Sequence, residues 1–427
     1  MANDTNDVLV IGAGMAGLTA ARTLAEAELQ VIVLEAQNRI GGRILTQRIG
    51  DEVLELGAEF VHGRPPELWA LIEEAGLATV EREGTQICFE EGALTDCDNE
   101  MEGIFKPLED LKNFQGADVS FAEYLDRKSS SVEDRDAVIG YVEGFNAADY
   151  REISVAALGA QQKAEDAVDG DRLYHLVGGY DQLPRYLSDR ITEYGGSIRL
   201  GEQVQEIRWR TGHVEAITGN GSYMAQRAIL AVPLGVLHSN RITMTPKPDA
   251  TLAAAAKLRM GHVRRFTLLF SERFWANLLP QPSLGKLSFL FAFEELPSVW
   301  WTPHPERSNS ITGWVGGPRS AALEGLDADE LGRKACATLA KIFGLDAERI
   351  QQQLLGCYTH DWKNDAFTFG AYSYVVTGGL DSSRQMTEPV ENTLYFAGEH
   401  TDVTGHWGTV HAAMRSGLRA AAQIIGT

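Results

Sequence analysis

The chain has no run of roughly 18 consecutive apolar residues, the length a membrane-spanning helix needs, so no transmembrane anchor is expected. Its first residues, Met1 to Asp7, lack the basic and apolar regions of a secretory signal, which favours a cytoplasmic protein. Cysteine is scarce: Cys88, Cys97, Cys336 and Cys357 show no CxxC spacing. Neither a metal site nor a disulfide framework is therefore expected, and reduced thiols are the preferred reading. Internal repeats and low-complexity segments are missing. Positive charge is also short, with 38 Lys and Arg against 59 Asp and Glu and a formal net charge of −21. That balance repels nucleic acid and draws in cations, although an ordinary acidic surface produces the same number. At 427 residues the chain exceeds a single core, so two intertwined domains are expected.

What is present is concentrated between Val8 and Arg43. Val8-Leu9-Val10-Ile11 is an apolar run of the kind that makes a buried parallel strand, and it leads directly into Gly12-Ala13-Gly14-Met15-Ala16-Gly17. Gly12 permits a tight turn, Gly14 lets backbone N–H groups approach a pyrophosphate at a helix N-terminus, and Gly17 lets that helix pack close to the strand. Helical periodicity continues through Leu18, Ala21, Leu24 and Ala25. Val31-Ile32-Val33-Leu34 reads as a second strand ending at Glu35, where a carboxylate accepts ribose hydroxyls and opposes a 2′-phosphate. Arg39-Ile40-Gly41-Gly42-Arg43 then adds a second glycine turn with a flanking guanidinium. A nicotinamide dehydrogenase has no use for that turn, whereas a flavin dinucleotide gains from it a second approach to its pyrophosphate and a cation.

The Gly41-Gly42-Arg43 turn resembles the signature of the flavin-dependent amine oxidoreductases, which include monoamine oxidases, polyamine oxidases and lysine-specific histone demethylases. The resemblance continues through Glu55-Leu56-Gly57-Ala58-Glu59-Phe60-Val61-His62-Gly63. It returns at Tyr395-Phe396-Ala397-Gly398-Glu399-His400-Thr401 and Gly408-Thr409-Val410-His411, and so spans nearly the whole chain. It implies an α/β fold in which a Rossmann-like FAD-binding domain of the glutathione-reductase type is interleaved with a substrate domain of mixed β-sheet and helices. The chain pattern divides these as residues 1–80, 174–236 and 387–427 for FAD, and 81–173 and 237–386 for substrate. Within them, a helix is expected through Leu183, Leu187 and Ile191, a strand from Ile198 to Ile207, a hairpin at Gly212 and a buried strand ending at Pro233. Substrate-side strands are expected from Phe266 to Phe270, Ser288 to Phe293 and Ile311 to Val315. A polar linker is expected from Ser129 to Asp134, and a closing helix from Gly408 to Ile425.

Residue by residue, the resemblance implies cofactor contacts at Gly12, Gly14, Ala16, Gly17, Glu35, Gly42, Arg43, Gly57, Glu59, Phe60, Trp362, Gly398, Glu399, Thr409 and Val410, with the backbone of Val204 meeting the adenine. Monoamine oxidases attach their flavin through a cysteine at the position of Ala371, so FAD is expected to be non-covalent here. Monoamine oxidases also carry a C-terminal membrane helix, which is not expected for a sequence running to Ile424-Ile425-Gly426-Thr427. Nor is action on chromatin expected. The implied reaction oxidises an amine to an imine by hydride transfer to flavin N5, with oxygen or another acceptor taking the electrons and oxygen giving hydrogen peroxide. An ammonium has no lone pair to assist hydride departure, so the site must favour the neutral amine, and apolar aromatic walls do so. Tyr372, in Gly370-Ala371-Tyr372-Ser373-Tyr374-Val375, resembles the motif supplying one cage tyrosine. Thr409 stands where monoamine oxidases place a second, leaving room for longer amines. His62 occupies a position where animal polyamine oxidases carry a histidine and plant ones a glutamate, suited to a distal amine; a loop histidine with a structural hydrogen bond is the plain alternative. Trp300, Trp301, Trp314 and Trp407 are pocket candidates, though tryptophans at such density commonly belong to a core.

One departure stands out. Counting back from Phe274-Trp275, Arg265 occupies the place of the family's active-site lysine, which holds a water against flavin N5. Arg264 and Arg265 must face opposite ways on a strand, and the register chooses Arg265. Arginine is longer, planar and permanently charged. It can keep a cationic contact with a water, or it can clamp a substrate carboxylate, which points to an L-amino-acid oxidase; the missing lysine also leaves open an amine dehydrogenase that passes electrons to an acceptor other than oxygen. A flavin-dependent desaturase or isomerase would share the N-terminal fingerprint without needing Tyr372 or the tract from Gly398 to Val410. The favoured substrate is a polyamine-like primary or secondary amine. No metal, nucleic acid or membrane partner is expected, and a homodimer stays open.

Overall fold

A computed structural model describes residues 6–97, 106–128, 132–278 and 282–426. Val8, Leu9 and Val10 are fully buried, which a strand achieves only with neighbours on both edges and cover on both faces. Strand Asn6–Ile11 accordingly runs parallel between Val31–Leu34 and Gly221–Leu230. Ser197–Arg199 and Leu394–Phe396 extend the parallel arrangement. His213–Thr218 and Val204–Arg210 add an antiparallel hairpin on the other side, turned at Gly212 with φ of +70°. Helix Met15–Glu26 buries Leu18, Ala21, Leu24 and Ala25 as its periodicity requires. Helix Val410–Ile425 crosses it so closely that a Cβ on Gly417 would lie 2.2 Å from the Ala16 carbonyl oxygen.

A second sheet is ordered Leu354–Thr359, Val263–Phe270, Ser310–Gly316, Val299–Trp301, Leu287–Phe291, Thr85–Glu90 and Ala93–Asp96. It is mixed, because Leu287–Phe291 and Thr85–Glu90 pair in parallel. Val263–Phe270 is buried along its whole length. Phe266, Leu268 and Phe270 enter a core with helix Ala328–Phe343, while alternate residues Arg265 and Thr267 lie on the opposite face. A small sheet of Val61–His62, Leu173–Leu176 and Thr79–Glu81 carries His62 and His175. The molecule is thus α/β, with a Rossmann-like domain on the parallel sheet and a second domain on the mixed sheet.

Several expectations are corrected. The stretch from Ile198 to Ile207 is two strands: Ser197–Arg199 lies at one edge of the parallel sheet and Val204–Arg210 towards the other. Gly201, at φ of +72°, turns the chain between them, which alternation of side chains does not reveal. Thr243–Thr245, from a stretch given to the substrate half, pairs in parallel with Val204–Arg210. Helix Val132–Asn146 begins inside the expected linker, whose residues 129–131 lie outside those described. Cys88 and Cys97 form a disulfide where reduced thiols were expected. The hairpin of Thr85–Glu90 and Ala93–Asp96 returns the chain to leave their Cα atoms 5.1 Å apart, a pairing that a search for CxxC spacing misses. Among the described residues, no helix is long and apolar enough to cross a membrane and no cluster of His, Cys, Asp and Glu could hold a metal.

Candidate active site

A cavity of about 940 Å³ joins the two halves, and of the cofactor and catalytic residues predicted from the sequence only Gly17 is absent from its wall, as is the pocket candidate Trp300. Gly17 works behind the wall: a Cβ there would sit 1.9 Å from the Gly12 carbonyl oxygen, so its missing side chain lets the helix meet the turn. A Cβ on Gly14 would meet no protein atom within 4 Å and would project into open space. The two glycine turns touch, with Gly14 bridged to Gly41 and a Cβ on Gly42 placed 3.2 Å from Gly14 Cα. Glu35 closes this end. Its carboxylate accepts the Ala13 and Gln37 backbone N–H groups at 2.7 and 2.8 Å, and burial pushes its carboxyl above the ordinary range. Two bonds leave an ionised carboxylate with acceptor capacity for a ribose diol. Helix N-terminus, bare glycine surface and acid together fit the pyrophosphate and ribose of FAD.

Arg43 and Glu399 bind each other. Arg43 Nη1 donates to Glu399 Oε1 and to the Ala371 carbonyl, both at 2.8 Å. Glu399, 3% exposed, also accepts Ser373 Oγ at 2.6 Å and the Gly408 N–H at 2.9 Å. Burial alone would raise its carboxyl; Arg43, His400 and Ser373 outweigh that and hold it low. The pair therefore ties the glycine turn to the two C-terminal tracts that wall the cavity. Thr409 caps helix Val410–Ile425, accepting the Ala412 N–H at 3.1 Å, and its hydroxyl donates to the His406 carbonyl at 2.8 Å.

An aromatic cage lies beyond. Tyr372 donates its hydroxyl to the Phe145 carbonyl at 2.6 Å, and its ring stacks on Trp314 with centroids 6.5 Å apart. Trp314 meets Trp301 at 5.8 Å, and Trp301 meets Phe60 at 5.5 Å. Of the four candidate tryptophans, Trp301, Trp314 and Trp407 line the cavity, whereas Trp300 is fully buried in the substrate-side core. Trp362 donates to the Leu56 carbonyl at 2.8 Å, and Val204 lies on the wall 5% exposed.

Arg265 reaches the cavity, and Arg264 turns away to the Leu326 carbonyl at 2.8 Å. The Arg265 guanidinium donates to the Gly57 carbonyl and to Glu59, with Cζ 5.4 Å from the Trp301 ring centroid. Glu59 further accepts Trp301 Nε1 at 3.0 Å and faces His175 Nε2 at 3.1 Å. Burial would raise the Glu59 carboxyl, but Arg265, His175 and Arg82 overcome this and hold it down at about 2. A substrate-carboxylate clamp at Arg265 is thus at odds with the geometry, because its cation already has a buried counter-ion. Glu59, expected as a cofactor residue, is that counter-ion.

His62 lines the cavity edge-on to Phe60 and Phe145, and burial, with His406 nearby, pushes it down to about 4. Sequence reasoning missed Tyr141, Phe145, Glu165 and His406 on the wall, and quoted His411 without giving it a role. Tyr141 and Phe145 stand at i and i+4 of one helix, an aromatic pair whose spacing could have drawn notice.

A family model described as flavin containing amine oxidoreductase matches residues 15–425. Polyamine oxidase 2 of Arabidopsis thaliana is 29% identical across 97% of this chain and 87% of its own length. Polyamine oxidase 3 of Oryza sativa subsp. japonica is 30% identical across 98% and 88%. Lysine-specific histone demethylase 1 homolog 2 of Arabidopsis thaliana is 29% identical across 98% of this chain, which spans only 58% of that relative. A solved structure of putrescine oxidase bound to putrescine matches with a TM-score of 0.84 and 26% identity over 99% of both chains. FAD is the cofactor, held without a covalent bond since Ala371 offers no sulfur, and the enzyme is an oxidoreductase acting on amines. The chain belongs to the flavin-containing amine oxidoreductase family.

Proposed function

We propose that this enzyme oxidises a polyamine-like primary or secondary amine to an imine, which water converts to an aldehyde and an amine, with oxygen as the acceptor. The observation that carries this reading is that the Arg265 cation is matched by Glu59 while the cage offers π faces and a neutral imidazole. Such a surface receives amines and gives a substrate carboxylate no partner at Arg265. Bound FAD would accept the hydride at N5 and pass the electron pair to oxygen, giving hydrogen peroxide.

The protein's part is to bind, orient and desolvate. Aromatic faces attract an arriving ammonium, and their low polarity then favours the neutral amine from which hydride can leave. Tyr372 is fixed for this from two sides: its hydroxyl is bonded to the Phe145 carbonyl, and a Cβ on Gly408 would lie 2.8 Å from its ring. Thr409 leaves the opposite side open for a long chain. His62 stays neutral through physiological pH and can accept a hydrogen bond from a second nitrogen.

Tyr372→Phe keeps the ring and loses one hydrogen bond, so kcat/KM should fall less than about tenfold. Tyr372→Ala removes a wall of the cage and should lower it by about 100-fold through misplacement of the amine. Similar values for the two variants would remove Tyr372 from the cage. The reading as a whole is tested by anaerobic mixing with polyamines, monoamines and L-amino acids while flavin absorption is followed, and then by admitting air. Bleaching by polyamines with recovery in air is expected. Bleaching by amino acids alone, or no recovery in air, would overturn it.

A further inference from the structure

We propose that Glu165 anchors the distal cation of a diamine or longer polyamine, at the far end of an aromatic wall that begins at the cage. The proposal deepens the amine-oxidase reading above and rests on it for the position of the reacting nitrogen.

The wall can be followed ring by ring. Trp314 stacks on Tyr372, and Tyr372 is bonded to the carbonyl of Phe145. Phe145 stacks on Tyr141 with centroids 5.6 Å apart and planes within 6°. Tyr141 lines the same cavity, and its phenol is pushed up by burial and by the charge of Glu165 beside it. An alkyl chain laid along these rings leads from the cage to that carboxylate.

Glu165 stands apart from the other acids of the wall, of which Asp171 is exposed and Glu202 is bonded to Thr218 and Asn220. Glu59 is matched by Arg265, Glu399 by Arg43, and Glu109 and Asp166 share Lys112 at 2.6 and 2.7 Å. Glu35 is held by two backbone N–H groups. Glu165 has a hydrogen bond from Gln161 Nε2 at 3.1 Å and no ion pair among the described residues; Lys112, bound to Glu109 and Asp166, acts on it only through space. Burial pushes its carboxyl up to about 7. A half-buried carboxylate without an ion pair is poorly solvated, and a ligand ammonium would provide the missing partner.

A second observation points to the same place. His406 and His411 are 6% and 1% exposed, their rings lie 4.7 Å apart, and both line the cavity. The Nε2 atom of His411 is buried without a hydrogen-bond partner among the described residues, and the His406 ring lies against the Ala164 backbone. The loop of His406 packs on the helix that carries Glu165, since a Cβ on Gly405 would meet the Ala160 oxygen at 2.8 Å and Ala164 Cβ at 3.1 Å. The unpartnered His411 nitrogen on the same wall as a carboxylate without an ion pair fits a second nitrogen and its hydration. A monoamine would bring only methyl groups there, and a carboxylate would meet like charge.

The test uses the holoenzyme and Glu165→Gln, which keeps the volume and the capacity to bond Gln161. Calorimetric titration would compare hexamethonium with hexyltrimethylammonium, one dication and one monocation of equal length. Neither can be oxidised, because a quaternary nitrogen has no lone pair. The wild type should bind the dication at least about tenfold more tightly, and Glu165→Gln should erase that preference. In turnover, the ratio of kcat/KM for hexane-1,6-diamine over hexylamine should fall by about tenfold to 100-fold, mostly through KM. Glu165→Asp, which keeps the charge, should retain part of the preference. An unaltered preference in Glu165→Gln, or equal weakening of both cations, would overturn the proposal. A Glu165-dependent preference for the dication in a protein whose flavin no amine bleaches would uphold the subsite and defeat the oxidase reading instead.

Discussion

Replacing Glu59 by glutamine is expected to destabilise the folded protein by about 3 to 5 kcal/mol, the cost of leaving a buried charge without its partner. Arg265 is 4% exposed and cannot turn to water, and the Glu59 carboxylate also positions Trp301 and His175. Replacing Arg265 by methionine should cost a similar amount from the other side. The double variant Glu59→Leu with Arg265→Met removes both charges and should cost far less than the sum, because an apolar pair of similar volume needs no counter-ion. The pH dependence has a definite sign. The folded-state carboxyl is held below its ordinary value, so its contribution is complete above about pH 4.5 and is lost as pH falls towards about 2. Wild type and Glu59→Gln should therefore converge in thermal stability across that interval. Unfolding midpoints measured over pH, with retained flavin read from visible absorption, check each point. Additive effects of the two single changes would dispose of the pair.

The same pair shows where sequence reading stops. Position 265 could be placed at the cavity by counting along a strand, since alternation decides which of two neighbouring arginines faces in. Its partner could not, because the two residues lie 206 positions apart and neither has a local pattern announcing the other. Glu59 sat inside a recognisable tract and was read as a cofactor residue; it lines the cavity, but that its carboxylate also serves Arg265, Trp301 and His175 was not legible. Legibility was highest where function is local: the run from Val8 to Arg43 reads as strand, turn, helix and strand because each step has its own periodicity or glycine. It was lowest where a wall is assembled from distant segments, as with Tyr141, Glu165 and His411. The broken strand at Gly201 and the disulfide in the 85–96 hairpin failed for a related reason: register and turns decide them, and composition does not.

Gly14→Ala and Gly17→Ala should both lose FAD, for opposite reasons. At Gly17 the added methyl would lie 1.9 Å from the Gly12 oxygen and 3.2 Å from Ala231 Cβ. The turn cannot yield, since Gly12 is itself at φ of +105° with space for no Cβ, 2.7 Å from the Ala231 oxygen. Nor can the helix back away, because on its other side Gly417 already brings helix Val410–Ile425 against the Ala16 carbonyl. Relief must come from displacement of the helix N-terminus, with a loss of about 3 kcal/mol or more and a disturbed phosphate cradle. Gly14 is different: its φ of −76° suits alanine and no protein atom stands within 4 Å of the new methyl. Gly14→Ala should fold as stably as the wild-type apoprotein and fail only when the pyrophosphate has to approach the backbone. The absorbance ratio of flavin to protein after purification should thus drop in both variants, while thermal unfolding of the apoproteins should fall only in Gly17→Ala. Full flavin content in Gly14→Ala would mean that the phosphates do not lie against this turn, and would remove the basis for the cofactor orientation on which the position of the cage depends.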